Sequence, residues 1–256
     1  MTARGTVVLS TLEFDVLWEL ERLPRKHEAL GVPSPGKTHT ERAQLVAEAL
    51  GTLKERGLSD GERANPDLAD QLSLLAHPQV SIDTWVFTDH RITSLAVMSG
   101  DTALLAAVDG PEVWLIPARE TALAEAAVSV TGEMPPGPGY SVSVPTDTLM
   151  AADRKAKGDK RELASALMHK GIGASDAKTL AEMVGGMGLR GQFGASRLHR
   201  DQRMVRADRV VSFHDTDYGR YVYLAKPNND GRMWSTITPA DNRRLEMCVN
   251  ELLDEI

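Results

Sequence analysis

The sequence lacks three things whose absence narrows the class of protein: a second cysteine, a long apolar run and an excess of positive charge. Cys248 alone cannot form an intrachain disulfide, and there is no CxxC or HExxH motif to hold a metal ion. No segment approaches the ~18 consecutive apolar residues that cross a bilayer. The 29 basic and 36 acidic residues give a net charge of −7, which argues against general attraction to nucleic acid or anionic lipid.

The N-terminal region contains only a short apolar run, at residues 7–9, which is too short for the core of a signal peptide. We therefore expect a cytoplasmic protein with no membrane span. The composition, 42% apolar and 25% charged, is that of a folded domain and not of a disordered chain.

Two stretches of the sequence repeat each other. DGPEVWLIPA at 109–118 and DGRMWSTITPA at 230–240 each start at an Asp-Gly turn signal, contain one tryptophan and end at Pro-Ala. Upstream, VVLSTLEFDVLW at 7–18 matches VSVPTDTLMAAD at 142–153, since in both an apolar run leads into a helical pattern. The repeat predicts two halves, 1–133 and 140–256, joined by a Pro/Gly-rich linker at 134–139.

Hydrophobic periodicity predicts the same order of elements in each half. In the first half, helices are expected near 10–23, 41–56 and 65–75, followed by strands at 80–87, 91–98, 102–108 and 112–116 joined by hairpin-length links. In the second half, helices are expected at 146–157, 160–170 and 175–185, strands at 190–198, 209–214, 220–226 and 233–237, and a last helix at 238–256. The predicted fold class is α+β, with two halves sharing an antiparallel sheet.

The segment GVPSPGKT at 31–38 fits the phosphate-loop pattern of nucleotide hydrolases, in which Lys37 and Thr38 would contact phosphate and magnesium. Its context argues against this function, because it lies between two predicted helices and Pro33 and Pro35 have no N–H to donate. Thr38 with Glu41 instead forms a capping box for the next helix. A nucleotide-binding enzyme is therefore the alternative and not the leading hypothesis.

Other motifs give no better evidence for chemistry. GMGLRG at 186–191 spells a dinucleotide-binding pattern, but it closes a helix and enters a strand, the reverse of what that mechanism requires. HDTDYG at 214–219 resembles the start of a calcium loop without its later ligands. The seven histidines have no consistent acidic partner. We expect no catalytic residue, no cofactor and no metal.

Methionine is unusually frequent, with ten residues against four phenylalanines. Met150, Met168, Met183 and Met187 fall in the helical segment of the second half, where they could fill the core or form an adaptable groove for a helical partner. Arginines also recur at every third position from Arg197 to Arg209. These arginines fit either a solvated surface or a site for an acidic partner. A third hypothesis is an α+β protein with an internal ligand pocket.

Five segments together resemble the EspG family of type VII secretion chaperones: LSTLEFDVLWELERLP, GLSD, NPDLADQLSLLAHPQV, DTDYGRYVYLAKP and WSTITPADNRRLEMCVNELLDEI. The resemblance spans essentially the whole chain as one domain. It implies a central antiparallel sheet with flanking N- and C-terminal helical bundles, and a cytoplasmic chaperone without enzymatic activity. Such a chaperone binds the apolar tip of PE–PPE heterodimers through the PPE subunit and keeps them soluble and secretion-competent. The client could also be a related helical-hairpin substrate.

The resemblance implies partner contacts from the sheet and from the C-terminal helices. The residues that we expect to bind the partner are His90, Arg91, Met168, Leu180, Met183, Val184, Met187, Arg203 and Arg206. Among them, Leu180, Met183, Val184 and Met187 recur at helical spacing, so one apolar arc could extend beyond the strip that faces the core.

Overall fold

The computed structural model describes residues 5–256, which form eight α-helices and an eleven-stranded antiparallel sheet. The elements of the first half are β1 (Val7–Ser10), α1 (Thr11–Leu20), α2 (His39–Glu55), α3 (Pro66–Ala76), β2 (Val80–Phe87), β3 (Arg91–Ser99), β4 (Thr102–Asp109), β5 (Glu112–Ala118) and α4 (Leu123–Ser129). Those of the second half are β6 (Val142–Pro145), α5 (Thr146–Ala156), α6 (Lys160–His169), α7 (Ala174–Val184), β7 (Arg190–Leu198), β8 (Met204–Arg206), β9 (Val211–Thr216), β10 (Gly219–Pro227), β11 (Met233–Pro239) and α8 (Asn242–Leu253).

The two halves repeat the same order of elements: a short strand, three helices, a run of strands and a final helix. Their strands also follow the same hydrogen-bonding order, β1-β5-β4-β3-β2 in the first half and β6-β11-β10-β9-β7 in the second, with β8 paired to β7 off this path. This confirms the α+β class with two quasi-symmetric halves.

The chain divides into two compact units that follow these halves closely but not completely. The first unit extends to Trp85 and includes Asp89–Val130 and Ser196–Val205. The second unit consists of Val86–Thr88, Thr131–Ala195 and Arg206–Ile256. Residues 86–88 of the first half thus belong to the second unit, and residues 196–205 of the second half belong to the first unit.

Each unit buries its own apolar cluster under three helices. In the first unit, Phe14 and Trp18 of α1 pack with Leu72 of α3 and with strand residues such as Leu95 and Leu115. In the second unit, the cluster comprises Val142, Val144, Ala152, Ala156, Leu163, Ala164, Ala166, Leu167, Ala177, Leu180, Ala181, Met183, Tyr221 and Ile237. In this second cluster, α5, α6 and α7 contribute small and long apolar residues that face the strands.

Local signals in the sequence place most helix starts correctly. Ser10 and Glu13 form the expected capping box of α1. Asn65 caps α3, and Pro66 follows at its first position. The predicted start of the last helix at Thr238 is wrong: Pro239 still pairs with Tyr221 in the sheet, and Asp241 caps α8 by accepting a hydrogen bond from the Arg244 N–H. Helix α4 and strand β8 were not predicted.

The predicted linker at 134–139 lies against β10. The Gly137 N–H donates to the Arg220 carbonyl at 3.1 Å, and the Tyr221 hydroxyl donates to the Pro138 carbonyl at 3.0 Å. A Cβ at Gly137 would lie 2.2 Å from the Tyr221 ring, so only glycine permits this approach. The segment is therefore a packed part of the second unit.

The segment that resembles a phosphate loop ends in a helix cap. The Thr38 hydroxyl accepts a hydrogen bond from the Glu41 N–H at 3.2 Å, and the Glu41 carboxylate accepts from the N–H groups of Thr38 and Lys37. An acidic side chain thus occupies the N-terminus of α2, where a phosphate loop would bind its anion. The residues are those of a capping box.

We expect Thr38→Ala to lower the free energy of unfolding by about 1 kcal/mol, because the substitution removes the cap of α2. Lys37→Ala should leave stability unchanged, since only the main-chain N–H of Lys37 takes part in the cap. Urea unfolding measures both variants. If the parent chain binds ATP and magnesium with micromolar affinity and Lys37→Ala abolishes that binding, the segment does more than cap α2.

Within residues 5–256, no helix combines the length and apolar character needed to span a membrane. The same residues contain no cluster of three or more histidine, cysteine, aspartate or glutamate side chains arranged to hold a metal ion.

Candidate partner-binding groove

An open groove lies in the second unit, where α5, α6 and α7 leave part of the sheet uncovered. Its volume is about 450 Å³. The residues that line it are Phe87, Leu149, Met150, Asp153, Leu163, Val184, Met187, Arg190, Gly191, Gln192, Ser212, Phe213, His214, Tyr223 and Ile237. Apolar side chains predominate, as is typical of sites that bind a partner through burial.

The floor of the groove is a row of side chains that crosses four strands. Gln192, Ser212, Tyr223 and Ile237 are consecutive cross-strand partners on β7, β9, β10 and β11. Cross-strand partners point to the same face of a sheet, here the face that carries the helices. Gln192 is exposed and Ser212 and Tyr223 are only half-buried, so the helices do not cover this end of the row.

The walls come from α5 and from the chain after α7. Leu149, Met150 and Asp153 of α5 all line the groove. Asp153 is a neighbour of both other residues on the helix surface, because it lies four positions after Leu149 and three after Met150. Met150 is 56% exposed, Met187 45% and Phe87 41%. Three large apolar side chains therefore stand exposed at one groove, which is typical of an interaction surface.

His214 fixes the end of α7 to the sheet beside the groove. Its Nε2–H donates to the Met183 carbonyl at 2.9 Å, and its ring stacks on Tyr221 with the centroids 5.4 Å apart. Burial lowers the pKa of His214, so the imidazole is neutral near pH 7. This contact positions Val184 and the following Met187 at the edge of the groove.

The structure separates the apolar residues predicted to bind the partner. Val184 and Met187 line the groove. Leu180 and Met183 are 0% and 1% exposed and belong to the core of the second unit, so they present no surface to a partner. Met168 is exposed on α6 without lining the groove.

The polar residues predicted to bind the partner lie elsewhere. His90 and Arg91 are exposed in and just after the β2–β3 turn of the first unit. The His90 ring is hydrogen-bonded to the Asp89 and Asp109 carboxylates, which raise its pKa. Arg91 lies 5.6 Å from the centre of the Trp85 ring. Their role in binding stays a prediction.

Arg203 precedes β8 and Arg206 is its last residue, and both are exposed. The Arg203 guanidinium is 3.9 Å from Asp201. Asp201 therefore reduces the positive charge that Arg203 presents to an acidic partner, and steering by these arginines also stays a prediction.

Sequence reasoning did not identify Phe87 or Leu149 as groove residues, and it considered Met150 only as one of the clustered methionines and not among the residues expected to bind the partner. Met150 carried a signal, since it is one of the clustered methionines and adjoins Leu149 on a short amphipathic helix. Phe87 carried none, because its position as the last residue of a strand does not say which side chains lie beside it.

A buried arginine links segments of the second unit that are distant in sequence. Arg220 is 0% exposed, and its guanidinium donates to both carboxylate oxygens of Asp215, at 2.7 and 2.9 Å. It also donates to Thr131 and Asn242, and it lies 4.9 Å from the Phe213 ring. Asp215, one of the two aspartates in the HDTDYG segment, therefore forms a buried ion pair.

The fold and the sequence are both similar to those of known proteins. The solved structure of the Mycobacterium tuberculosis type VII secretion system chaperone EspG5 in complex with a PE25–PPE41 dimer is similar, with a TM-score of 0.78 and 15% sequence identity. The similarity covers 98% of this chain and 97% of that chain. No curated protein matches the sequence. The model of the EspG family matches residues 10–251, and the chain therefore belongs to the EspG family.

Proposed function

We propose that this protein is a cytoplasmic type VII secretion chaperone that binds the apolar tip of PE–PPE heterodimers and keeps them soluble and secretion-competent. The observation that carries the proposal is the open apolar groove in a member of the EspG family. Further support comes from the similarity of the fold to EspG5, whose structure was solved in complex with a PE25–PPE41 dimer.

The mechanism that we propose is reversible burial of apolar surface. Phe87, Met150 and Met187 stand exposed around the groove. An apolar tip seated there would gain roughly 25 cal/mol for each Å² of apolar surface that both partners remove from water. Methionine suits this function because its unbranched chain adapts to different shapes, so one groove can accept related clients.

This function requires no covalent chemistry. The segment that resembled a phosphate loop, GVPSPGKT, is accounted for by the capping box of Thr38 and Glu41. Release of the client needs only a competitor that binds the client more tightly.

Co-expression with PE–PPE pairs from the same genome should give a stable complex with one copy each of chaperone, PE and PPE for at least one pair. We expect little affinity for PE alone, because the proposed contact is with the PPE subunit. Size-exclusion chromatography with light scattering measures the composition. If every pair elutes apart from the chaperone, the proposed client class is wrong.

A further inference from the structure

Two charged side chains of opposite sign line the apolar groove within the described part of the chain: Asp153 on α5 and Arg190 on β7. Both are exposed. Neither side chain has a hydrogen bond or an ion pair to another residue between positions 5 and 256. Some other charged groups of the second unit are paired: Lys160 lies 3.0 Å from Glu182, and Arg232 lies 3.0 Å from Asp147.

The two charges stand at opposite ends of the groove floor. Helix α5, which carries Asp153, packs on β6 and β11. Arg190 belongs to β7, which lies three strands from β11 in the order β11-β10-β9-β7. Three strand spacings amount to roughly 14 Å. An α-helix with its side chains is about 10–12 Å wide, so one helix fits between the two walls.

An occupant of this width would displace part of the water around both charges. A charge that loses its water without gaining a partner is strongly unfavourable, so the groove disfavours any occupant that leaves Asp153 or Arg190 unpaired. It also disfavours an occupant that places a like charge beside either group. Interactions of this kind contribute more to the choice of partner than to the affinity for that partner.

We propose that the groove selects a helical client tip by the positions of its positive and negative side chains. The preferred client carries a lysine or arginine on the flank that faces α5, an apolar stripe on the floor, and an aspartate or glutamate on the flank that faces β7. A tip with the opposite polarity is rejected although its apolar surface is the same. This inference rests on the proposed function, because it assumes that a PE–PPE tip occupies the groove.

The test uses the full chain and a PE–PPE heterodimer from the same genome, with the dissociation constant measured by calorimetry at low and high salt. Arg190→Glu and Asp153→Lys should each fold normally and weaken binding by about tenfold or more at low salt. The loss should shrink at high salt, because screening weakens repulsion between charges that remain partly hydrated. Lys155→Glu is the matched control: it makes the same charge change as Arg190→Glu, two residues from Asp153, at an exposed position outside the groove.

A second charge reversal, made on the client, identifies the PPE residue that faces Arg190. Changing acidic residues of the PPE tip to lysine one at a time should restore the binding of Arg190→Glu at one position. If Arg190→Glu and Asp153→Lys bind like the parent while Met187→Asp does not, the client occupies the groove but its charges do not determine binding. The inference then fails and the proposed function stands. Equal losses for Lys155→Glu and Arg190→Glu also overturn it. A parent chain that binds no pair overturns both the inference and the proposed function.

Discussion

Replacing Met187 with aspartate is expected to leave the fold intact and to remove PE–PPE binding, whereas the same change at Met183 is expected to unfold the chain. Met187 is 45% exposed at the groove, so a carboxylate there stays in water in the free protein but would be buried by a client. Met183 is 1% exposed in the core of the second unit. A buried unpaired carboxylate costs several kcal/mol, a large part of the ~5–15 kcal/mol that stabilises a domain.

Thermal melting and size-exclusion binding assays separate the two outcomes. Met247→Asp serves as the control, because Met247 is 48% exposed on α8 and lies outside the groove, so its variant should both fold and bind. If Met187→Asp folds and binds like the parent, the client surface lies elsewhere than the groove. If Met183→Asp melts like the parent, the assignment of Met183 to the core is wrong.

Replacing Arg220 with alanine is expected to lower the free energy of unfolding by about 3–5 kcal/mol, because the buried Asp215 carboxylate would lose its cation. The substitution also removes hydrogen bonds to Thr131 and Asn242, which tie distant segments to β10. Urea unfolding followed by circular dichroism measures the loss.

An exposed ion pair provides the comparison for this variant. Arg232 and Asp147 lie 3.0 Å apart with side chains 51% and 71% exposed, so Arg232→Ala should cost less than about 1 kcal/mol. The double variant Arg220→Met with Asp215→Leu should recover part of the stability lost in Arg220→Ala, since it leaves no unpaired charge. Equal losses for Arg220→Ala and Arg232→Ala would contradict a structural role for the buried pair.

Much of the fold follows from signals that are local in sequence. Capping residues such as Ser10, Thr38 and Asn65 start their helices because side-chain oxygens accept the hydrogen bonds of free N–H groups within a few residues. Two-residue turns join β3 to β4 and β4 to β5, where Gly100 and Gly110 adopt positive φ. The repeated order of elements was visible for the same reason.

The groove was only partly predictable because its residues come from separate elements. The methionine cluster indicated a partner surface, and Met187 does line the groove. Helical spacing could not separate Met187 from Met183, however, because α7 ends at Val184 and the chain then leaves the helical path. Phe87, Gln192 and Ser212 carry no signal in the sequence at all.

The sequence by itself determined the α+β class, the internal repeat, most element boundaries and the resemblance to the EspG family, because each depends on residue order and short-range spacing. Only the tertiary structure decided which methionines are exposed, that Arg220 is buried against Asp215, and that Asp153 and Arg190 at one groove have no partner among residues 5–256. These features depend on contacts between residues far apart in the chain, and the free energy of each comes from burial, which is a property of the assembled unit.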